Sequence, residues 1–297
     1  MSSVQDIKRR IRSVRNTRKI TRAMELVAAA HLRRAQARIE AMRPYADRMM
    51  ELMVGTARAS SSVRGLPLLQ RREDIRAVAI LPLTGDRGLA GAFNSQMLRH
   101  SFQLQRQLEG EGKRVRWLVS GRKGASTLRF RRLEVVQAWT GFSDRPTYAD
   151  AQALAHKAAE LYIGEEVDRV VIVYNRFVSP LVQEVVEQEV LPIPAEMLEP
   201  GEEEEHREAI LGDFIYEPEP EQILERLLPV YVETELYRAL LESAASEQGA
   251  RMTAMRNASK NAGELIDSLT LAMNRARQAE ITQEILEVVA GADALTQ

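Results

Sequence analysis

Both ends of the chain carry apolar residues at steps of three and four, and the stretch between them does not. Near the N-terminus the stripe is Val4, Ile7, Ile11 and Val14, and the same heptad register resumes at Leu32, Ala35, Ile39 and Met42. Near the C-terminus it runs Leu241, Ala245, Gln248, Met252, Met255, Ser259, Ala262, Ile266, Leu269, Met273 and Ala276. That spacing is the seam of a coiled coil. An insertion between the two stripes lets the first and last segments of one chain pair antiparallel. It predicts a rod projecting from a globular head.

Residues 3 to about 58 read as one helix, on the order of 80 Å long at ~1.5 Å per residue. Ser2 or Ser3 can cap it, Pro44 should bend or break it, and Gly55 with Ser60, Ser61 and Ser62 should close it. Beyond a linker with Gly65 and Pro67 the period changes. Ala77–Leu81, Arg114–Val119 and Val170–Tyr174 are short apolar runs of the kind buried in a parallel sheet, with a weak strand at Val135-Val136. Helical patterns separate them at 94–108, 121–128 and 147–163, the last capped by Ser143, Asp144 or Thr147. Residues 182–190 alternate imperfectly and end at Pro192 and Pro194, as an edge strand does. Strand and helix alternate, so the middle is an α/β layer with a mostly parallel, Rossmann-like sheet. From about Glu221 the helical pattern returns, with Pro229 near its start. The expected division is an N-terminal coiled-coil helix at 1–58, a linker at 59–75, the α/β domain at 76–194, an acidic linker at 195–220 and the C-terminal helix at 221–297.

The N-terminal seam changes character partway. Arg18 and Glu25 fall on its register, the apolar Ile20, Met24 and Val27 stand on an adjacent face, and Ala28, Ala29 and Ala30 follow. Small residues let two helices approach closely and slide at little cost. At the other end, Ile281, Ile285, Val288 and Ala292 continue a stripe past the reach of the N-terminal helix. An apolar stripe with no partner inside the chain needs one outside it.

Composition narrows the chemistry. The chain has no cysteine, which removes disulfides, thiol nucleophiles and thiolate metal sites. His31, His100, His156 and His206 lie far apart and in no metal-binding pattern, so no metal is expected. No run reaches the ~18 apolar residues of a membrane span, and the charged start lacks a signal-peptide core. The expectation is a chain on the cytosolic side that can still be a peripheral part of a membrane machine. The net charge of −1 hides an asymmetry. Lys8, Arg9, Arg10, Arg12, Arg15, Arg18, Lys19 and Arg22 crowd the first helix against Asp6, while Glu202–Glu205 form an acidic run. The first helix therefore seeks an acidic surface or a phosphate backbone. A nucleic-acid binder with a zipper-like basic region is one reading, but the seam runs through the basic stretch itself and the net charge is not basic.

A second reading is a nucleotide-binding α/β enzyme. Gly85, Gly88 and Gly91 follow a strand and open a helix, but they fall as GxxGxxG, and the second strand ends in Ser120-Gly121-Arg122-Lys123 with no acid for a ribose. A structural turn is the better reading, with no cofactor. Glu184 and Glu187 look solvated, His31 reads as a seam or surface residue, and no catalytic constellation emerges. The cluster Asn274-Arg275-Ala276-Arg277-Gln278 with Thr282 stands out, because the partnerless stripe begins beside it.

Several segments resemble the γ subunit of the F-type ATP synthases. They are residues 11–29, from Ile11 through Asn16, Thr17, Met24 and Val27, and 281–294, from Ile281 through Thr282, Glu284, Glu287 and Gly291. Asp86-Arg87-Gly88-Leu89, Gly91, Phe93 and Asn94, then 250–255, then 274–279 are similar as well. The resemblance covers the whole chain. It implies a non-catalytic central rotor whose paired helices stand inside a ring of three α and three β subunits. Its α/β domain would sit against the ε subunit and the c-ring of Fo. Proton-driven rotation would then be coupled to ATP synthesis or hydrolysis at the β subunits. It further implies a peripheral place on the cytoplasmic face of a bacterial plasma membrane, with membrane contact only through Fo and no nucleic-acid partner. By resemblance, Met24 lies near the β-subunit lever, Arg251 is a coupling arginine, and Arg277, Gln278, Thr282, Glu284 and Glu287 are rotor–stator contacts. Lys8 and Arg9 would face acidic stator surfaces. His31 stands where the family commonly has lysine, and without cysteine the dithiol switch of chloroplast relatives cannot operate.

Overall fold

Helix and strand follow one another as the sequence pattern requires: α1 (Val4–Ala59), β1 (Ala77–Pro82), α2 (Phe93–Gly110), β2 (Arg114–Ser120), α3 (Arg122–Phe130), β3 (Val135–Trp139), α4 (Tyr148–Ile163), β4 (Arg169–Phe177), β5 (Gln183–Leu191) and α5 (Pro220–Leu295). The computed structural model describes residues 4–60, 65–194, 198 and 219–295, with side chains as far as 290. Ser2, Ser3 and nearly all of the acidic 195–220 segment lie outside the described residues.

The five strands form one sheet in the order β3-β2-β1-β4-β5. The pairs β1–β2, β2–β3 and β1–β4 are parallel, and β5 runs antiparallel to β4 at the edge. Side chains alternate across a strand, so β1 serves two cores. Ala77, Ala79 and Leu81 point into one layer with the buried face of α4. Val78 and Ile80 point into the other, with Phe93, Met97 and Phe102 of α2 and Leu128 of α3. In that second layer Phe102 meets Trp117 edge-on at 5.8 Å, an arrangement worth ~0.5–1.5 kcal/mol beyond its buried area.

Two long helices complete the first layer. Met49, Met53 and Ala57 of α1, with Leu224, Leu228, Val232 and Leu236 of α5, are buried in the same core as β1, β4 and α4. The helix α1 ends at Ala59, close to the residue 58 expected, and runs without a break through Pro44, its last turns held by burial. The chain also groups as Met1–Ala28 with Arg251–Gln297 in one unit and Ala29–Ala250 in another. Those boundaries fall inside both long helices. The expected division at 58 and 221 followed where the helical pattern stops, which is a different property.

Two polar devices shape the α/β unit. Thr147 caps α4, its hydroxyl accepting from the Asp150 N–H while the Asp150 carboxylate accepts from the Thr147 N–H, a capping box. Arg72 donates to Asp168 Oδ1 at 2.8 Å, to Tyr162 O at 2.6 Å and to Val167 O at 2.9 Å. Asp168 Oδ2 accepts the backbone N–H groups of Arg76 at 2.7 Å and Ala77 at 2.9 Å, which fixes the approach to β1.

Candidate functional site

In an open parallel sheet, ligands bind beyond the C-terminal ends of the strands, where neighbouring connections diverge. Here that place lies beyond β1 and β4, and it is filled. Ser243 of α5 donates to Leu83 O at 3.0 Å and Ser246 donates to Asn175 O at 2.9 Å. A Cβ on Gly85 would stand 2.9 Å from the Glu247 carboxylate, so the glycine is needed for that approach. Gln248 hydrogen-bonds Asp144.

The first N–H groups of α3 are also taken. Arg122 N–H donates to Asp86 Oδ1 at 2.9 Å, Lys123 N–H to Gly85 O at 3.1 Å, and Gly124 N–H to Thr84 Oγ1 at 2.9 Å. A helix start binds phosphate through N–H groups left open, and these are closed. Asp86 further accepts from Gly141 at 2.8 Å and Ser143 at 3.1 Å. Burial alone would raise its pKa, but these hydrogen bonds outweigh it and hold the carboxyl below its ordinary value. The glycine-rich turn is a brace between β1, α3 and the loop after β3.

The helical pair offers a different kind of surface. Ile7 and Ile11 are buried against Ile266, with Val14, Leu269, Met273 and Ala276 packed around them. Further along, Glu25 meets Arg256, so the helices run antiparallel, as the stripes predict. Thr21, Glu25 and Ala28 hold the seam in this region, all buried. Ile20 and Val27, on the adjacent face, are 59% and 57% exposed, and Met24 is half-buried. The register therefore continues through polar residues, and the apolar ones look outward.

Glu25 accepts from Arg22 Nη1 at 2.8 Å and from Arg256 Nε at 3.0 Å. Desolvation opposes its ionisation, yet the two guanidinium groups prevail and its pKa is lowered. On one side of the pair, Lys8, Arg12, Arg15, Arg18, Lys19 and Arg22 line a groove of about 1170 Å³ whose lining includes no acid.

The nine residues singled out from the sequence fall into three groups. Lys8 and Arg9 are exposed on α1, Lys8 in the basic groove. Met24 and Arg251 are partly and fully buried respectively. Arg277, Gln278, Thr282, Glu284 and Glu287 are all exposed on the last turns of α5. Thr282 Oγ1 donates to Gln278 O at 2.8 Å, and Gln283 donates to Glu287 at 2.9 Å, so local bonds order this surface. Every residue from 277 to 290 is exposed, including Ile281, Ile285, Leu286, Val288 and Val289. Ala292 lies beyond the described side chains.

The polar rung of Glu25 and Arg256 was missed as a pair, although Glu25 could be seen to interrupt the seam. Glu184 and Glu187 are exposed on β5, as expected; Glu184 pairs with Arg176 at 2.6 Å, and Glu187 Oε1 lies 2.6 Å from His100 Nε2.

Comparison with known proteins places these surfaces in a family. A family described as ATP synthase matches residues 3–295. The ATP synthase gamma chain of Rubrobacter xylanophilus is 48% identical over 295 residues, covering 99% of each chain. A chain from the central stalk and c-ring structure of Tetrahymena thermophila mitochondrial ATP synthase aligns with a TM-score of 0.58 at 27% identity, covering 81% of this chain and 99% of that one. A chain from Euglena gracilis mitochondrial ATP synthase shares the fold, with a TM-score of 0.67 at 18% identity over 98% of this chain and 94% of that one.

Proposed function

The chain belongs to the γ-chain family of ATP synthase, and from that premise we propose how its surfaces divide the work of a central stalk. The paired ends of α1 and α5 stand within a ring of three α and three β subunits. The α/β unit carries the contacts to ε and to the c-ring. Proton-driven turning of the c-ring moves the stalk, and the stalk biases each β subunit in turn toward one of its conformations. A rotor surface does this by stabilising one state over another, so the work comes from asymmetry of contact and not from chemistry on the stalk itself. The chain holds no catalytic site in this reading, and it sits peripherally on the cytoplasmic face of a bacterial plasma membrane.

The observation that carries this reading is the exposed apolar stripe from Ile281 to Val289. Among the described residues nothing of its own chain covers it, and exposed apolar stripes find a partner. Arg277, Gln278, Thr282, Glu284 and Glu287 flank it as the polar contacts to the β subunits. Met24, with the exposed Ile20 and Val27, offers a second apolar contact, and Arg251 supports the pair where it is buried. Lys8 and Arg9 supply positive charge toward acidic stator surfaces. The filled crevice beyond β1 and β4 argues against the dinucleotide-enzyme alternative.

The test is assembly. Mixed with the α and β subunits of the same organism, the purified chain should co-elute as one complex whose ATPase activity exceeds that of α and β alone. Separate elution, with ATPase unchanged by the added chain, would defeat the reading.

A further inference from the structure

The seam between the paired helices is built largely from small and apolar residues, and such a seam repeats itself. Moving one helix along the other by a heptad would again match apolar to apolar. One rung does not repeat. There Glu25 is buried and accepts from Arg256 across the seam at 3.0 Å and from Arg22 of its own helix at 2.8 Å. One heptad to either side of Arg256 stand Gly249 and Gly263, neither of which can replace the guanidinium.

We infer that the Glu25–Arg256 rung is a register lock, which holds the two helices at one axial position along an otherwise slippery seam. Displacement by a heptad leaves Glu25 buried without its cross-seam partner. A buried carboxylate deprived of its partner is strongly disfavoured, and one polar group can thereby choose among registers that apolar contacts leave nearly equal. The purpose of the lock rests on the stalk reading, since a shaft whose strands slip cannot pass torque. The lock itself does not rest on it.

The natural absence of cysteine makes the register measurable. Spin labels on Gln5→Cys and Ser268→Cys, both exposed and about eight residues apart along the axis of the pair, report the axial offset by double electron–electron resonance in the full chain. The parent should give one narrow distance distribution. Arg256→Glu sets two carboxylates against each other and should broaden or displace it, a slip of one heptad moving the helices by ~10 Å, about two turns. Exchanging the charges, Glu25→Arg with Arg256→Glu, should restore the narrow distribution, with Arg22 still at hand as a second donor. Circular dichroism separates slippage from loss of helix, and Arg256→Gln serves as the milder variant if Arg256→Glu unfolds. A distribution in folded Arg256→Glu or Arg256→Gln as narrow and centred as the parent's would overturn the lock, as would failure of the exchanged pair to restore it. These distances read the lock whether or not the chain assembles with α and β, so its failure is distinguishable from failure of the stalk reading.

Discussion

Asp86 gathers the backbone N–H groups of Arg122, Gly141 and Ser143, and Asp168 gathers those of Arg76 and Ala77 together with the Arg72 guanidinium. Each carboxyl resists the upward pull of burial and has a lowered pKa. A group whose pKa is lowered by folding contributes stability that is fully present above its unfolded value, about 4, and lost as pH falls through the folded value. Urea midpoints should therefore fall steeply below about pH 4 in the parent and less steeply in an Asp86→Asn, Asp168→Asn variant. That variant should be less stable at pH 7 by ~1–3 kcal/mol per site. Parallel pH profiles for parent and variant would contradict this. Little of this was legible in advance. Asp86 was visible only as part of a glycine turn, and Asp168 not at all, because their partners are backbone groups distant in sequence. Glu25 was half-legible. Its place on the seam register could be read from spacing, but its pairing with Arg256 depends on how the two helices are aligned.

At the scale of elements, periodicity carried most of the information. The heptad stripe of α5 is buried or half-buried from Leu241 to Ala276, and exposure begins where the N-terminal helix runs out. β1, β2 and β4 were legible as short apolar runs, the half-exposed β3 only weakly, and β5 as an edge strand because it alternates, though not its antiparallel direction. The helical pattern to about residue 58 was legible despite Pro44 and Gly55, which each disfavour a helix; α1 runs unbroken to Ala59, anchored on the sheet by Met49, Met53 and Ala57. The exposed end of α5 should contribute almost nothing to stability, since surface residues without partners change it by ~0.5 kcal/mol or less. Removing residues 281–297 should leave the thermal midpoint close to the parent's. Ile266→Ala, in the seam, should lower stability by about 2 kcal/mol. Calorimetry of the two variants checks this, and the reverse order would mean that the C-terminal stripe has an internal partner.

For the whole molecule, the α/β unit shows how a fold suited to binding nucleotides can be put to mechanical use. Ser243, Ser246 and Glu247 of α5 fill the crevice beyond β1 and β4, so the long helix is built into the sheet domain at the place where a ligand would sit. The sequence signalled this by what was missing, the ribose acid and the correct glycine spacing, although the filling helix lies far along the chain and could not be foreseen. The central claim is that this chain turns within α3β3 as its central stalk. Ser126→Cys, exposed on α3 in a chain with no other cysteine, accepts a single bead or gold particle. With α3β3 fixed to a surface and ATP supplied, the particle should rotate in one direction in discrete steps. A complex that binds the chain and hydrolyses ATP while the particle shows only undirected motion would contradict the account.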